Sequence, residues 1–387
     1  MTVVMFDPGN FIPYYLDALS RALATLGANV RVIASPPLFE PVASGAAYQV
    51  EHWFFPSFRG RRRALLRHRR RLRRSFKAIS YPAGLARSWR ALRDATPGVL
   101  HVHFSLAPTL DAAFVRALKR RGWRMVYTVH DPLPAPGRLL ARPRLLALAD
   151  ALIVHSAHEA TAIVEAHPFA RPRLHVIPHG AVVFAPPSEE QRAAAREALG
   201  VAPDRPVLLF FGMIKPYKGL NHLLDALPTV LEKFPRTALI IAGEPLMSLA
   251  PLHEQIARLG LHDSVVLRPA FIPGHEVGRY LRAADMLVAP YVRGGASGVV
   301  VLAQGHGRPV VVTRVGALPD LVEPEACGFV VPPASSTALA DTICRGLGDP
   351  EALSEMGERA RRRLRLQNAW EDVARCTLDV YAAIGAR

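Results

Sequence analysis

Phe210-Phe211-Gly212-Met213-Ile214-Lys215-Pro216-Tyr217-Lys218-Gly219-Leu220 runs an apolar strand into a glycine, two lysines and the start of a helical pattern. At such a junction the first helical N–H groups lack intrahelical partners and the helix dipole is positive, so an anion is favoured there. Lys215 and Lys218 add full charges suited to a phosphate or diphosphate. The pattern is not a Walker loop, which needs Gly-x-x-x-x-Gly-Lys-Ser/Thr. Spacing alone leaves a surface loop with solvated lysines equally open. Gly294-Gly295-Ala296-Ser297-Gly298 has the same character ahead of the apolar residues 299–302. Ser297 is placed as a helix N-cap, and the glycines let a ligand approach the backbone closely.

His130 ends the segment Tyr127-Thr128-Val129-His130, at the carboxyl end of an expected strand, where open α/β sheets bind ligands. His101, His103 and His179 are weaker candidates of the same kind, and with fifteen histidines in the chain a purely structural histidine is the commoner outcome. Asp7-Pro8-Gly9-Asn10 forms the loop after the first strand. The sequence has no Asp-x-Asp, no His-Glu-x-x-His and no clustered Cys/His, so no metal site is expected. Cations and helix dipoles are then the means of holding an anion.

The elements that must position these residues alternate almost from end to end. Strands are expected at residues 2–6, 29–34, 99–103, 125–130, 151–155 and 174–177, then at 207–211, 238–242, 265–268, 286–289, 310–313 and 328–331. Helical patterns at 14–25, 110–121, 157–166, 220–234 and 275–284 separate them, and 353–384 reads as a further helix. Two such sets predict an α/β protein of two doubly wound, Rossmann-like domains. The hinge is expected at Ala181 to Ser188, a stretch that contains Pro186-Pro187, giving domains at 1–185 and 186–365, with 366–387 packing back toward the first.

The 387 residues are 50% hydrophobic and 21% charged, a soluble globular composition. Three dispersed cysteines exclude a disulfide framework, and the absence of a long apolar run or basic leader points to a cytoplasmic protein. Eleven of the net +16 charges come from the acid-free stretch 59–77, so the other 368 residues carry only +5. Within that stretch and just beyond it, Leu65, Leu72, Phe76 and Ile79 fall on one helical face, with Arg61, Arg62, Arg63, Arg69, Arg70 and Arg73 around them. A solvated helix, an interfacial helix on an anionic membrane and a nucleic-acid patch all fit this pattern, the last without a supporting motif.

The block from Phe211-Gly212 to Lys218-Gly219 is joined by Ala284-Asp285 before Pro290, Gly307-Arg308-Pro309-Val310-Val311, Gly316-Ala317-Leu318-Pro319-Asp320-Leu321-Val322 and Gly328-Phe329-Val330-Val331. Together they resemble a GT-B glycosyltransferase of family 4, and the likeness covers nearly the whole chain. The resemblance implies two domains facing a cleft, with a nucleotide-sugar in the second and the acceptor in the first. It implies that Lys218, with Gly212, Lys215, Ser297 and Gly298, grips the donor diphosphate. His130 would stand beside the reacting anomeric centre, and Gly9 and Asn10 would lie in a loop near the phosphates. The expected activity is a metal-independent, hexosyltransferase-type transfer from a nucleotide-diphosphate sugar to a hydroxyl of a glycan or lipid-linked acceptor. The nucleotide-sugar is a substrate, and no cofactor is implied. With an acceptor of that kind the basic run is expected to hold the protein at the cytoplasmic face of the membrane, with no nucleic-acid partner. A GT-B-shaped sugar-nucleotide epimerase is the alternative enzyme, and a basic nucleic-acid-binding protein a further one. The sequence departs from the family where arginine often follows Gly212, here Met213, and where a glutamate pair would fall on Gly294 and Leu302. Glu244 and Arg293 are the candidates for a sugar or ribose contact in their place.

Overall fold

The computed structural model describes residues 1–10, 12–37, 47–55, 70–130, 142–295 and 297–386, with backbone only at 70–78 and 142. Among these, strands β1 (Thr2–Asp7), β2 (Asn29–Ala34), β3 (Gln49–His52), β4 (Val99–Val102), β5 (Arg124–Thr128), β6 (Ala151–Val154) and β7 (Leu174–Val176) form one parallel sheet in the order β3-β2-β1-β4-β5-β6-β7. Strands β8 (Val207–Phe211), β9 (Ala238–Ala242), β10 (Val265–Arg268), β11 (Met286–Ala289), β12 (Val310–Thr313) and β13 (Phe329–Val331) form a second, in the order β10-β9-β8-β11-β12-β13. The order reverses between β1 and β4 and again between β8 and β11. Crevices at the carboxyl ends of such strand pairs are where doubly wound sheets take ligands.

The strands are near-continuous apolar runs because both sheet faces are covered. Successive side chains point to opposite faces, so Val3 and Met5 join a core with Leu16, Leu19 and Tyr381, while Val4 and Phe6 join another with Phe54 and Phe114. The second sheet divides likewise, with Leu208 and Phe210 on one side and Val207 and Leu209 on the other.

The chain separates into two compact units, one comprising Met1–Gly180 with the segment from Trp370 onward, the other Ala181–Ala369. Residues 181–184 go with the second unit, since the Ala181 N–H donates to Asn368 O at 2.8 Å and the Phe184 N–H to Gly305 O at 2.9 Å. The helical stretch expected at 353–384 is two helices, Pro350–Gln367 and Trp370–Ala383. Between them the backbone of Asn368 and Ala369 leaves helical geometry to pair with Ala181. The second helix belongs to the first unit and packs on Pro13–Thr25.

The Ala284-Asp285 pair has a structural role. Asp285 accepts from Arg192, from Arg196 at 2.8 Å and from the Val207 N–H at 2.7 Å, tying the helix Glu189–Ala198 to the start of β8. Of the basic run, Arg61, Arg62, Arg63 and Arg69 lie outside the described residues, while Arg70 and Arg73 fall within a helix, Arg70–Leu92, of which only the backbone is described at those positions. Ile79 on that helix is 81% exposed. No helix among the described residues is long and apolar enough to cross a membrane.

Candidate active site

In the second unit Gly212 follows β8 with φ +92°, a conformation that favours glycine, and Gly219 takes φ +66° at the start of the helix Leu220–Lys233. Between them the turn Pro216–Lys218 swings Lys218 back under the strand end, leaving its side chain only 6% exposed. Its ammonium lies 5.0 Å from the Tyr291 ring centroid, and a Cβ built on Gly212 would sit 3.4 Å from Nζ and 3.1 Å from Val299 Cγ2. Among the described residues no carboxylate pairs with Lys218. A buried ammonium without a counter-charge is costly, and a bound anion would relieve that cost. Lys215 is half-buried, with Nζ 5.5 Å from the Tyr217 ring centroid.

Gly298 opens the helix Gly298–Gly305 after β11. Ser297 precedes it at the N-cap position, but its hydroxyl makes no cap bond and instead pairs with the Tyr291 hydroxyl at 3.1 Å. The Ser297 carbonyl takes the Val300 N–H at 3.1 Å, but its hydroxyl caps none of the N-terminal N–H groups of this helix, contrary to a conventional side-chain cap. Tyr291 and Val299 thus join Gly212, Lys218, Ser297 and Gly298 in one constellation beside the β8–β11 switch point. Glu244 follows β9, and its Oε2 accepts from the Phe271 N–H at 3.0 Å; Arg293 is exposed. Gly212→Ala, which strains a positive φ and crowds Val299, is expected to cost about 1–2 kcal/mol of stability, checked by thermal melts.

In the first unit Asp7 Oδ1 accepts from the N–H groups of Gly9 and Asn10 at 3.1 and 2.8 Å, and Asn10 Nδ2 donates to Ser35 O at 2.8 Å. That fixes the turn after β1, with Asn10 at φ +47°. His130 stands past the end of β5, its ring stacked on Phe104 at 5.0 Å and met edge-on by Tyr15 at 5.0 Å. Its Nδ1 lies 3.2 Å from His155 Nε2 and its Nε2 lies 3.2 Å from His103 Nδ1. Tyr15 also meets His103, His155, His179 and Trp370 at 5.0 to 5.8 Å. His101 bonds Tyr381 at 2.6 Å and Thr128 at 2.7 Å. Burial pushes His101 and His155 down to about 3 and holds His103 and His130 well below the usual histidine range, with neighbouring histidines adding to the effect. The rings are therefore neutral near pH 7.

His155, Tyr15 and Trp370 are absent from the candidates that the sequence nominates. A signal for His155 exists: His103, His130, His155 and His179 each follow one of the four successive strands β4 to β7 by one to three residues. Adjacent parallel strands end side by side, so this repetition alone gathers the four rings. Among the described residues no group of three His, Cys, Asp or Glu is arranged to hold a metal ion.

Two doubly wound parallel-sheet units in one chain are the architecture of the GT-B fold. The sequence model "Glycosyltransferase Family 4" matches residues 12–183 and "Glycosyl transferases group 1" matches 205–349. A D-inositol 3-phosphate glycosyltransferase of Streptomyces bingchenggensis is 30% identical over 330 residues, 78% of this chain and 70% of that protein. Its namesake from Xylanimonas cellulosilytica is 28% identical over 400 residues, covering 97% and 92%. Among solved structures, Anabaena HepE in complex with UDP and glucose superposes with a TM-score of 0.78 at 20% identity, over 99% of this chain and 100% of that one. The sucrose-phosphate synthase of Thermosynechococcus elongatus gives 0.76 at 20%, over 99% of each chain. The chain belongs to glycosyltransferase family 4 and is a glycosyltransferase of GT-B fold.

Proposed function

We propose that the protein transfers a hexosyl group from a nucleoside-diphosphate sugar, held by the second unit, to a hydroxyl of a glycan or lipid-linked acceptor held by the first. The observation that carries this reading is the uncompensated, buried Lys218 beside Gly212 and the start of the helix Gly298–Gly305. Lys218 and the N–H groups of that helix, with Lys215 nearby, supply positive potential to a leaving diphosphate, which is the role a metal would otherwise fill. Transfer is accordingly metal-independent and cofactor-free, with the nucleotide-sugar as donor substrate. His130, a neutral ring at a strand end, tolerates developing positive charge at the anomeric carbon, where an imidazolium would oppose it. The Gly9–Asn10 turn, held by Asp7, lies at the switch point of the first sheet and is the loop assigned to the neighbourhood of the phosphates. Glu244 contacts the ribose or sugar through its second carboxylate oxygen, since neither Gly294 nor Leu302 carries an acceptor, and Arg293 is a further candidate.

Nucleotide-sugars tested by thermal shift identify the donor, since one at 100 times its dissociation constant stabilises by about 2.7 kcal/mol. UDP-glucose leads the panel because HepE is solved with UDP and glucose. Inositol phosphate belongs among the acceptors because of the D-inositol 3-phosphate glycosyltransferases. Donor consumption that requires acceptor and survives chelator supports metal-independent transfer. Consumption without acceptor, yielding an epimer, overturns it.

The acceptor reading places the protein on the cytoplasmic membrane face through its basic run. The helix Arg70–Leu92 contains no acidic residue, and its Pro82, Leu85 and Trp89 line an apolar groove with Leu110 and Phe114. Each basic residue near an anionic leaflet contributes about 1 kcal/mol. Vesicles containing phosphatidylserine are expected to sediment the protein in low salt and release it in high salt. Replacing Arg61, Arg62, Arg63, Arg69, Arg70 and Arg73 should abolish this. Equal binding to neutral vesicles would refute it.

A further inference from the structure

His103, His130 and His155 form a chain whose direction is fixed at one end. His155 Nδ1 lies 3.0 Å from Ile177 O, an acceptor only, so that nitrogen carries the proton. In a neutral His155 the other nitrogen, Nε2, is then an acceptor, and His130 Nδ1 must donate to it across 3.2 Å. His130 Nε2 is left as an acceptor and takes the Nδ1–H of His103, also across 3.2 Å. The chain ends at His103 Nε2, a lone pair with no partner among the described residues on a side chain 1% exposed. A second contact fixes His155 from behind, where its backbone N–H donates to Glu159 Oε2 at 2.9 Å. Both ring nitrogens of His130 are thus occupied, and rotation of the ring would break two hydrogen bonds at once.

We propose that His155 and His103 are positioning residues for transfer: they hold His130 as the Nδ1–H tautomer, in one orientation, with Ile177 O setting the direction of the chain. This rests on the reading that His130 contributes to transfer. The chain gives His130 a fixed ring plane between Phe104 and Tyr15, and it leaves the residue no ring nitrogen with which to accept a proton from an acceptor hydroxyl. His130 therefore acts as an oriented neutral group and not as a general base.

Selective ¹⁵N labelling of histidine in the full chain tests this directly, because the ring nitrogen shifts distinguish the two tautomers without reference to activity. Wild-type His130 is expected as a single Nδ1–H species at pH 7.5. His155→Leu removes the acceptor and should give mixed tautomers at His130, with kcat lowered about tenfold, the rate equivalent of one buried hydrogen bond, and the donor KM unchanged. His155→Gln places an amide oxygen near the Nε2 position and should restore both the single tautomer and most of kcat. An Nε2–H His130 in the wild type, or an unchanged His130 tautomer in a folded His155→Leu protein, would overturn the proposal. Loss of the single tautomer without any change in kcat would overturn its link to transfer. The reading of His130 itself fails separately, if His130→Ala transfers sugar at the wild-type rate.

Discussion

Lys218→Met is expected to slow transfer about 100- to 1000-fold, the range seen when one preorganised charge-stabilising group is removed. The side chain is 6% exposed, its charge meets the face of Tyr291, and among the described residues no carboxylate answers it. In the free protein that ammonium is a net cost, because desolvation is not offset by an ion pair. Methionine keeps the apolar stem that fills the space under Gly212 and Val299 while deleting the charge. The ligand-free variant should therefore melt at or above the wild-type temperature while its donor affinity falls, by about tenfold or more if a charge-assisted hydrogen bond worth about 1.5–3 kcal/mol is lost. A merely structural lysine predicts the opposite pair of results, a lower melting temperature with donor affinity intact. Calorimetric titration with the donor and a melt of the apo protein decide between them. Lys215, half-buried and resting over Tyr217, should show the smaller effect on substitution.

That contrast between the two lysines was not legible in the sequence, where Lys218 directly precedes Gly219 and Lys215 stands three residues after Gly212, and neither spacing says which side chain turns inward. It depends on the tight turn Pro216–Lys218 and on Gly219 at φ +66°, which direct Lys218 inward. The doubly wound architecture was legible because fully buried parallel strands must be apolar runs and the helices between them amphipathic. The short strand β3 was not, since Gln49-Val50-Glu51-His52 is polar at a sheet edge and is held partly by the Arg31–Glu51 pair at 3.0 Å from its neighbour β2. The break at Asn368-Ala369 was also hidden. Nothing in those two residues forbids a helix, and the backbone leaves it where it pairs with Ala181, nearly 190 positions earlier. Ser297 was placed correctly at a helix start, yet the role of its hydroxyl depended on Tyr291, which no local pattern links to it. The histidines illustrate the reverse situation. Their spacing was fully present in the sequence, and only the knowledge that β4 to β7 are adjacent and in order converts four separated residues into one cluster.

The same cluster makes the first unit acid-labile. His101 and His155 are buried, with folded-state values lowered to about 3 by desolvation, His155 further disfavouring charge on His101 and His179 on His155. In the unfolded chain each returns to about 6.5. Between those values the unfolded state binds the extra proton, so stability is complete above about pH 6.5 and is lost as pH falls toward 3. Lowering the pH from 7 to 5 costs about 2 kcal/mol for each of the two residues, hence about 4 kcal/mol together. His103 and His130, shifted in the same direction, add to this loss. In the second unit His306, lowered to about 4 by burial, acts in the same sense but stands apart from any such cluster. Urea denaturation followed by hydrogen exchange is expected to show β4 to β7 losing protection first as pH falls, ahead of β8 to β12. His101→Gln removes one titrating group and should reduce the slope of stability against pH by up to about 1.4 kcal/mol per unit in this window. Its amide can still reach one of the two hydroxyls, Thr128 or Tyr381, that bond the imidazole, so the variant should be weaker at pH 7 but flatter toward pH 5. A first unit equally stable at pH 7 and pH 5, or a His101→Gln slope identical to the wild type, would show that these rings are hydrated and free to charge in the folded protein.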